Sequence, residues 1–161
     1  MIAAKDEYRD GVLSYPLPVT CRLSDKDHEL IKAAEDVLFR CYSRGRHHVG
    51  AALVTSNGSI ICGVHLDSAG IDVCAEAVAL GNAVVQGMTG VECVVAVKML
   101  DSQPVIVPPC GNCRELFLTF APDAYVIVVR EETPVKMMFR DLLPFSYTLK
   151  KGCMYGNATR T

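Results

Sequence analysis

Three cysteines in two separate motifs constrain what this sequence can fold into. The first motif is Cys74-Ala75-Glu76, and the second is Pro109-Cys110-Gly111-Asn112-Cys113. Three thiolates suit one tetrahedral zinc ion, and a site with only three protein ligands leaves the fourth position open for water, as catalytic zinc sites do. We therefore expect the fold to bring the two motifs together, with Glu76 placed to handle a proton of that water.

Each part of this pattern also has a simpler interpretation. A Cys-x-x-Cys pair alone could be a redox pair or half of a structural zinc site, and Glu76 alone could be a surface carboxylate. A structural zinc site would need a fourth Cys or His near Cys74, and none stands at close spacing. The combined pattern favours catalysis, with a thiol oxidoreductase and a non-catalytic zinc-binding module as alternatives.

Composition narrows the class of protein. The 161 residues suffice for one domain with a substantial core, and 50% of them are hydrophobic. No apolar run approaches the roughly 18 residues of a membrane span, and residues 1–10 are too charged for a secretion signal. A net charge of −2 offers no basic surface for nucleic acid. The eight cysteines make up about 5% of the chain, below the roughly 8–10% typical of disulfide scaffolds. This cysteine content favours a reducing cytoplasm over an oxidising compartment.

We divide the chain into an N-terminal extension (1–23), a catalytic domain (24–149) and a C-terminal tail (150–161). The domain begins where Ser24 can cap a helix, with apolar residues then recurring at helical spacing as far as the stop signals at 43–45. The extension contains prolines and has no clear periodicity, and the tail is polar. We expect the extension to pack on the surface or to be partly disordered, and the tail to be frayed.

The rest of the domain alternates between strand-like and helix-like segments. Two strands flank Asn57-Gly58, which is a strong hairpin signal. Such alternation predicts a mixed sheet covered by helices. The predicted segments are strands at 49–55 and 59–64, a loop at 67–72, a helix at 74–86, a strand at 91–100, a loop at 101–109, a helix at 110–120, a strand at 124–129, and a short strand or turn leading to a short helix within 135–143.

Both cysteine motifs lie at predicted loop-to-helix junctions. Cys74 and Cys110 would each open a helix, and Cys113 would lie one turn further along the second helix. This spacing puts the Cys110 and Cys113 sulfur atoms on one face of that helix. The partial positive charge of a helix N-terminus favours thiolate over thiol, so the placement suits metal ligation.

Between about residues 25 and 147 the chain resembles the cytidine deaminase family, including the blasticidin-S deaminases. The motifs combine into a signature of zinc-dependent nucleobase deaminases. The resemblance implies a three-layer α/β/α fold with a five-stranded mixed sheet, and a homotetramer whose sites are bordered by neighbouring subunits. It implies one Zn²⁺ on Cys74, Cys110 and Cys113, with Glu76 as the proton shuttle. The resemblance rests on the segments Val49-Gly50-Ala51-Ala52-Leu53, Asn57-Gly58, Cys74-Ala75-Glu76, Pro109-Cys110-Gly111-Asn112-Cys113-Arg114 and Asp141-Leu142-Leu143-Pro144.

The chain departs from this family mainly where substrate would bind. The family holds ribose hydroxyls with Asn-x-Glu, and here those positions read His65-Leu66-Asp67. Its Phe-Pro before Val-Gly is replaced by His47-His48, and the arginine that often follows Cys-Ala-Glu is replaced by Ala77. We therefore expect the substrate contacts to come from His47, His65, Asp67 and Ala75.

The resemblance implies hydrolytic deamination of a small-molecule nucleoside, with ammonia released and a carbonyl left in place of the amine. Cytidine and deoxycytidine are the first candidates for the substrate. A cytosine nucleoside antibiotic such as blasticidin S is the second, because that branch also lacks the full ribose motif and the extra arginine. Another aminated heterocycle is the third candidate.

Overall fold

The structure is a computed structural model that describes residues 18–88, 90–144 and 146, together with the strand pairs at 8–9 and 12–13. Strands and helices alternate through most of this range. In chain order the elements are β1 (Tyr8–Arg9), β2 (Val12–Leu13), α1 (Asp25–Cys41), β3 (Val49–Thr55), β4 (Ile60–Val64), β5 (Leu66–Ser68), β6 (Ile71–Val73), α2 (Ala75–Val85), β7 (Val91–Leu100), β8 (Gln103–Val107), α3 (Gly111–Phe120), β9 (Tyr125–Arg130), β10 (Thr133–Met138) and a 3₁₀ helix (Phe139–Leu142).

A mixed sheet forms the centre of the domain. Five strands lie in the order β10-β9-β7-β3-β4, and they are antiparallel except for the parallel pair β7 and β9. β3 occupies one edge of the long strand β7. On its other edge, the start of β7 pairs with β9 and its end pairs with β8. The predicted mixed sheet is present, and it has six strands rather than five because β8 joins it.

Alternate residues of the central strands face opposite helical layers. Leu53 and Val94 belong to a buried cluster shared with α2 and α3, whereas Ala52 and Val95 belong to one shared with α1. This is the period of two expected for a strand buried on both faces. The predicted three-layer α/β/α arrangement is therefore confirmed.

Two strand glycines let helices approach the sheet closely. A Cβ atom at Gly50 would lie 2.6 Å from the carbonyl oxygen of Ala34 in α1. A Cβ atom at Gly63 would overlap the backbone of α2 at Ala75. Any larger residue would push the helix away, because protein interiors are close-packed. Gly63 therefore fixes the start of α2, and with it Cys74, against β4.

The predicted loop at 101–109 is wrong, because Gln103–Val107 forms β8. Asp101 and Ser102 make the tight turn from β7, with positive φ angles of 47° and 66°. A turn with two positive φ angles matches the twist of a hairpin. Pro104 is tolerated because, among the strands that the structure describes, β8 is hydrogen-bonded only to β7.

The predicted loop at 67–72 is also more ordered than expected. Leu66–Ser68 and Ile71–Val73 pair as a separate two-stranded antiparallel ribbon. The ribbon is almost entirely exposed. It leads directly into Cys74, so it lies beside the start of α2.

The predicted helices are confirmed, with small differences at their ends. Cys74 and Cys110 are the N-cap residues of α2 and α3. Ser24 caps α1 as expected, and α1 ends at Cys41, slightly before the predicted stop. The chain turns there because Ser43 and His47 form a β-bridge. The predicted strand or turn and final short helix are β10 and the 3₁₀ helix.

The C-terminal end of the N-terminal extension contacts the outer strand β10 of the sheet. Cys21 exchanges two backbone hydrogen bonds with Lys136 of β10, with N···O distances of 2.8 and 3.0 Å. Apart from the strand pairs at 8–9 and 12–13, the predictions for residues 1–17 and for the tail at 150–161 lie outside the described residues. In the described part of the chain, no helix is both long and apolar enough to cross a membrane.

Candidate active site

The fold brings the two cysteine motifs together. The Sγ atoms of Cys74 and Cys110 are 3.3 Å apart, and those of Cys74, Cys110 and Cys113 all lie within 4.8 Å of one another. A tetrahedral zinc ion with Zn–S bonds of about 2.3 Å would hold its sulfur ligands roughly 3.8 Å apart. The cluster therefore fits the size and the ligand preference of zinc.

Hydrogen bonds from one side chain to two backbone carbonyl oxygens hold the loop before α3 in place. The Arg114 guanidinium donates from Nε to the carbonyl oxygen of Pro109 at 2.9 Å and from a terminal nitrogen to that of Leu142 at 3.1 Å. Arg114 thus ties the approach to Cys110 to the 3₁₀ helix. No described contact joins its guanidinium to the thiols, so its role here is to position the loop.

Without a cation, the three thiols do not all favour the deprotonated, negatively charged form. Burial, together with hydrogen bonding to Cys110, raises the pKa of Cys74 to about 11. Burial and the neighbouring Glu76 charge raise the pKa of the Cys113 thiol well above its usual value. At Cys110, hydrogen bonds from Cys113 and Cys74 outweigh burial and lower the pKa. A divalent cation would supply the missing positive charge, so the chemistry of the donors also fits a metal.

Glu76 is buried beside the cysteine cluster. It lies in the first turn of α2, with only 6% of its surface exposed. Burial raises the pKa of its carboxyl group, and a hydrogen bond with Cys113 opposes this only in part. A raised pKa makes the protonated form of the carboxyl group easier to reach, which suits a group that must both take up and release protons.

A small cavity of about 150 Å³ opens beside Glu76. Residues from four parts of the fold meet there: the start of β3, the end of β4, the start of α2, and the segment between β8 and α3. The lining residues are Val49, His65, Cys74, Ala75, Glu76, Val107, Pro108 and Cys110. The cavity therefore joins two of the three cysteines and the buried carboxyl group in one space.

The predicted substrate contacts separate into two groups. His65 and Ala75 line the cavity. His47 makes a hydrogen bond from Nδ1 to the backbone oxygen of His65 at 2.7 Å, and Asp67 is exposed with its backbone N–H donating to Arg46. Neither His47 nor Asp67 is among the residues that line the cavity, so their substrate contacts stay predictions.

Sequence reasoning missed part of the cavity wall. Val107 and Pro108 fall in the predicted loop at 101–109, because the prolines of that segment outweigh its short β-branched run, Val105-Ile106-Val107. Asp72 was also placed in a loop, yet its Oδ1 lies 2.6 Å from Nε2 of His65. No local motif marks this contact, because it depends on the folding of the ribbon.

A larger cavity of about 860 Å³ lies away from the cluster of Cys74, Cys110 and Cys113, between the start of α1 and the β3–β4 turn. Its most buried charged group, Asp27, is paired with Lys136 at 2.9 Å and also accepts hydrogen bonds from Ser24. Since these groups satisfy one another, the smaller cavity is the better candidate site.

The sequence matches a protein family over most of the domain. The family is described as the cytidine and deoxycytidylate deaminase zinc-binding region, and the match covers residues 24–129. Cys74, Glu76, Cys110 and Cys113 all fall inside this range.

Two similar proteins of known name support this assignment. Blasticidin-S deaminase from Bacillus cereus is 38% identical over 136 residues, which cover 80% of this chain and 97% of that protein. Cytidine deaminase from Halalkalibacterium halodurans is 34% identical over 107 residues, which cover 64% of this chain and 79% of that protein.

Solved structures of cytidine deaminases share the fold. The enzyme from Burkholderia pseudomallei is 29% identical with a TM-score of 0.63, and the alignment covers 74% of this chain and 98% of that one. The enzyme from Mycobacterium leprae is 26% identical with a TM-score of 0.62, covering 73% and 96%. The chain therefore belongs to the cytidine and deoxycytidylate deaminase family, and it is a hydrolytic deaminase that acts on C–N bonds.

Proposed function

We propose that this enzyme is a zinc-dependent hydrolytic deaminase of a free cytosine-type nucleoside, with cytidine and deoxycytidine as the leading substrates. The observation that carries the proposal is the buried carboxyl group of Glu76 beside three clustered cysteines, on the wall of one cavity. Neither a redox pair nor a structural zinc module needs a carboxyl group at this position.

Cys74, Cys110 and Cys113 would hold one Zn²⁺ ion per chain. When bound, zinc supplies a Lewis acid that lowers the pKa of a coordinated water towards about 7. The short spacing between the three sulfur atoms supports this assignment.

Glu76 would carry the protons of the reaction. It takes one proton from the attacking water and delivers it to the ring nitrogen next to the amine-bearing carbon, to which the water oxygen adds. It then takes the second proton and gives it to the departing amine. The C–N bond breaks, ammonia leaves and a carbonyl remains. The raised pKa of Glu76 supports a role that requires both protonation states.

His65 and Ala75 would contact the bound substrate from the cavity wall, and His47 and Asp67 would do so from its surroundings. His65 and Asp67 stand where the family has Asn-x-Glu, so we expect the sugar to be held differently. A second candidate substrate is blasticidin S, which is favoured by the 38% identity to a protein of that name. Another aminated heterocycle is the third.

Several broader predictions accompany this proposal. We propose a catalytic domain at 24–149 between an extension and a tail, and a cytoplasmic homotetramer that acts on small molecules rather than nucleic acid. Exposed apolar residues such as Val85 (87% exposed) and Phe120 (56% exposed) are consistent with subunit contacts.

Metal content and ammonia release together test the proposed function. Purified enzyme is expected to hold about one zinc per chain and to release ammonia from cytidine, deoxycytidine or blasticidin S. Removal of zinc with a chelator should abolish turnover, and added zinc should restore it. Zinc-free protein with full activity would contradict the proposal, as would zinc-loaded protein that releases ammonia from none of these cytosine compounds.

A further inference from the structure

His65 carries a buried ring nitrogen that the protein itself leaves unpaired. His65 is 6% exposed, and its Nδ1 atom is the one buried side-chain nitrogen or oxygen without a hydrogen-bond partner among the described residues. Leaving a buried polar atom unpaired is costly, so nearly all such atoms in folded proteins are satisfied. An exception in the wall of an active-site cavity points to a partner that arrives with the ligand.

The other ring nitrogen is already fixed. Nε2 of His65 lies 2.6 Å from Oδ1 of Asp72, which belongs to the exposed ribbon before α2. A carboxylate oxygen can only accept, so Nε2 must carry the hydrogen. In the neutral ring, Nδ1 is then a lone-pair acceptor.

The ring has little freedom to turn away from this arrangement. The His65 backbone N–H donates to Val49 at 2.9 Å, and its carbonyl oxygen bonds to His47 at 2.7 Å. The ring of His48 packs edge-on against it, with centroids 4.3 Å apart. The two hydrogen bonds hold the backbone of His65 and the His48 ring packs against its side chain, while Asp72 selects which ring nitrogen bears the hydrogen.

We propose that Asp72 is a positioning residue for the active site: it fixes His65 with the hydrogen on Nε2, so that Nδ1 accepts a hydrogen bond from a donor group on the substrate. The inference rests on the proposed function for its site. The donor is a sugar hydroxyl or an amino group on a larger substituent, since both donate to a lone pair. A substrate that lacks the donor would leave Nδ1 unpaired and would be discriminated against.

Paired substrates measure this discrimination and identify the donor. We compare kcat/KM for cytidine with that for 2′,3′-dideoxycytidine, and kcat/KM for blasticidin S with that for an analogue whose side-chain amino group is replaced by hydrogen. For each pair we take the ratio of the two kcat/KM values. In the wild-type enzyme we expect the pair that differs in the actual donor to favour the donor-bearing compound by on the order of tenfold. His65→Phe keeps a ring but no nitrogen, so the same ratio should fall by about that factor while zinc stays bound.

Variants of Asp72 separate positioning from mere structure. Asp72→Ala should reduce the ratio because the ring nitrogens are no longer distinguished. Asp72→Asn should preserve the ratio, because its carbonyl oxygen can still accept from Nε2. Asp36→Ala, on the exposed side of α1, is the matched control and should leave the ratio unchanged. Unchanged ratios in active, zinc-loaded His65→Phe, or equal loss in the Ala and Asn variants of Asp72, would overturn the inference.

Nitrogen NMR of the histidine rings tests the inference without turnover. In enzyme labelled with ¹⁵N-histidine, the His65 signals, assigned by their loss in His65→Phe, should show hydrogen on Nε2 and none on Nδ1. A hydrogen found on Nδ1, with or without one on Nε2, would overturn the inference. If the wild-type enzyme deaminates no cytosine compound, the proposed function fails, and this NMR result still decides the arrangement of His65 and Asp72.

Discussion

Two helices on opposite faces of the sheet each bury a carboxyl group in their first turn, and the two groups have opposite properties. Asp27 of α1 is 4% exposed and Glu76 of α2 is 6% exposed. Burial acts to raise the pKa of both. At Asp27, hydrogen bonds from Ser24 and Lys136 outweigh it and the pKa is lowered, whereas at Glu76 burial prevails and the pKa is raised.

The difference separates a structural carboxylate from a reactive one. Asp27 completes the capping box of α1 and holds the helix to β10 through Lys136, so its charge is fully compensated. Within the described residues Glu76 has no cationic partner as close as this, and it lines a cavity beside the cysteines. Sites of chemistry are where charges are left uncompensated until a ligand or metal arrives.

Loss of a cysteine ligand should have the largest effect on zinc binding and activity. The effect should be confined to the face of the sheet that α2 and α3 cover. Cys113→Ser is expected to lose tightly bound zinc and nearly all ammonia release, because hydroxyl oxygen is a poor substitute for thiolate. Cys93→Ser is the matched control: Cys93 is equally buried but packs in the α1 cluster. Zinc content and turnover should survive in that variant. Full zinc binding and activity in Cys113→Ser would remove the contrast between the two faces.

Breaking the pair on the α1 side should affect stability instead. Lys136→Met leaves Asp27 with its Ser24 contacts but without its cation, and we expect the free energy of unfolding to fall by about 1.5–3 kcal/mol. Denaturant unfolding measures this, with Lys98→Met on the exposed side of β7 as control. Activity per folded, zinc-loaded enzyme should be unchanged. A Lys136→Met variant as stable as the wild type would show that the Asp27–Lys136 pair does not stabilise the fold.

The two strand glycines offer the finest contrast. Gly50→Ala and Gly63→Ala each force a helix away from the sheet and should cost about 1–3 kcal/mol of stability. Only Gly63→Ala displaces the start of α2, so it alone should also weaken zinc retention in a chelator competition. If both substitutions weakened zinc retention equally, the link between Gly63 and the metal cluster would be wrong.

The sequence could predict the elements whose signals are local. Helices that begin at Cys74 and Cys110, and the capped start at Ser24, depend on neighbouring residues, and all three are present. The Asn57-Gly58 hairpin depends on a two-residue turn and is also present.

Features that depend on distant partners could not be predicted in this way. β8 contains a proline and reads as a loop until β7 is known to lie beside it. The contact between His65 and Asp72 requires the ribbon to fold back, which no spacing indicates. The placement of His65, but not His47, in the cavity wall likewise depends on how β3 and β4 meet α2.

Glu76→Gln tests the central claim most directly. The substitution preserves side-chain size and removes the proton carrier. We expect ammonia release to fall by roughly 10²–10⁴-fold while about one zinc per chain stays bound and stability is retained. Glu29→Gln, on the exposed surface of α1, is the matched control and should retain full activity. Zinc-loaded Glu76→Gln that releases ammonia at the wild-type rate would contradict the account.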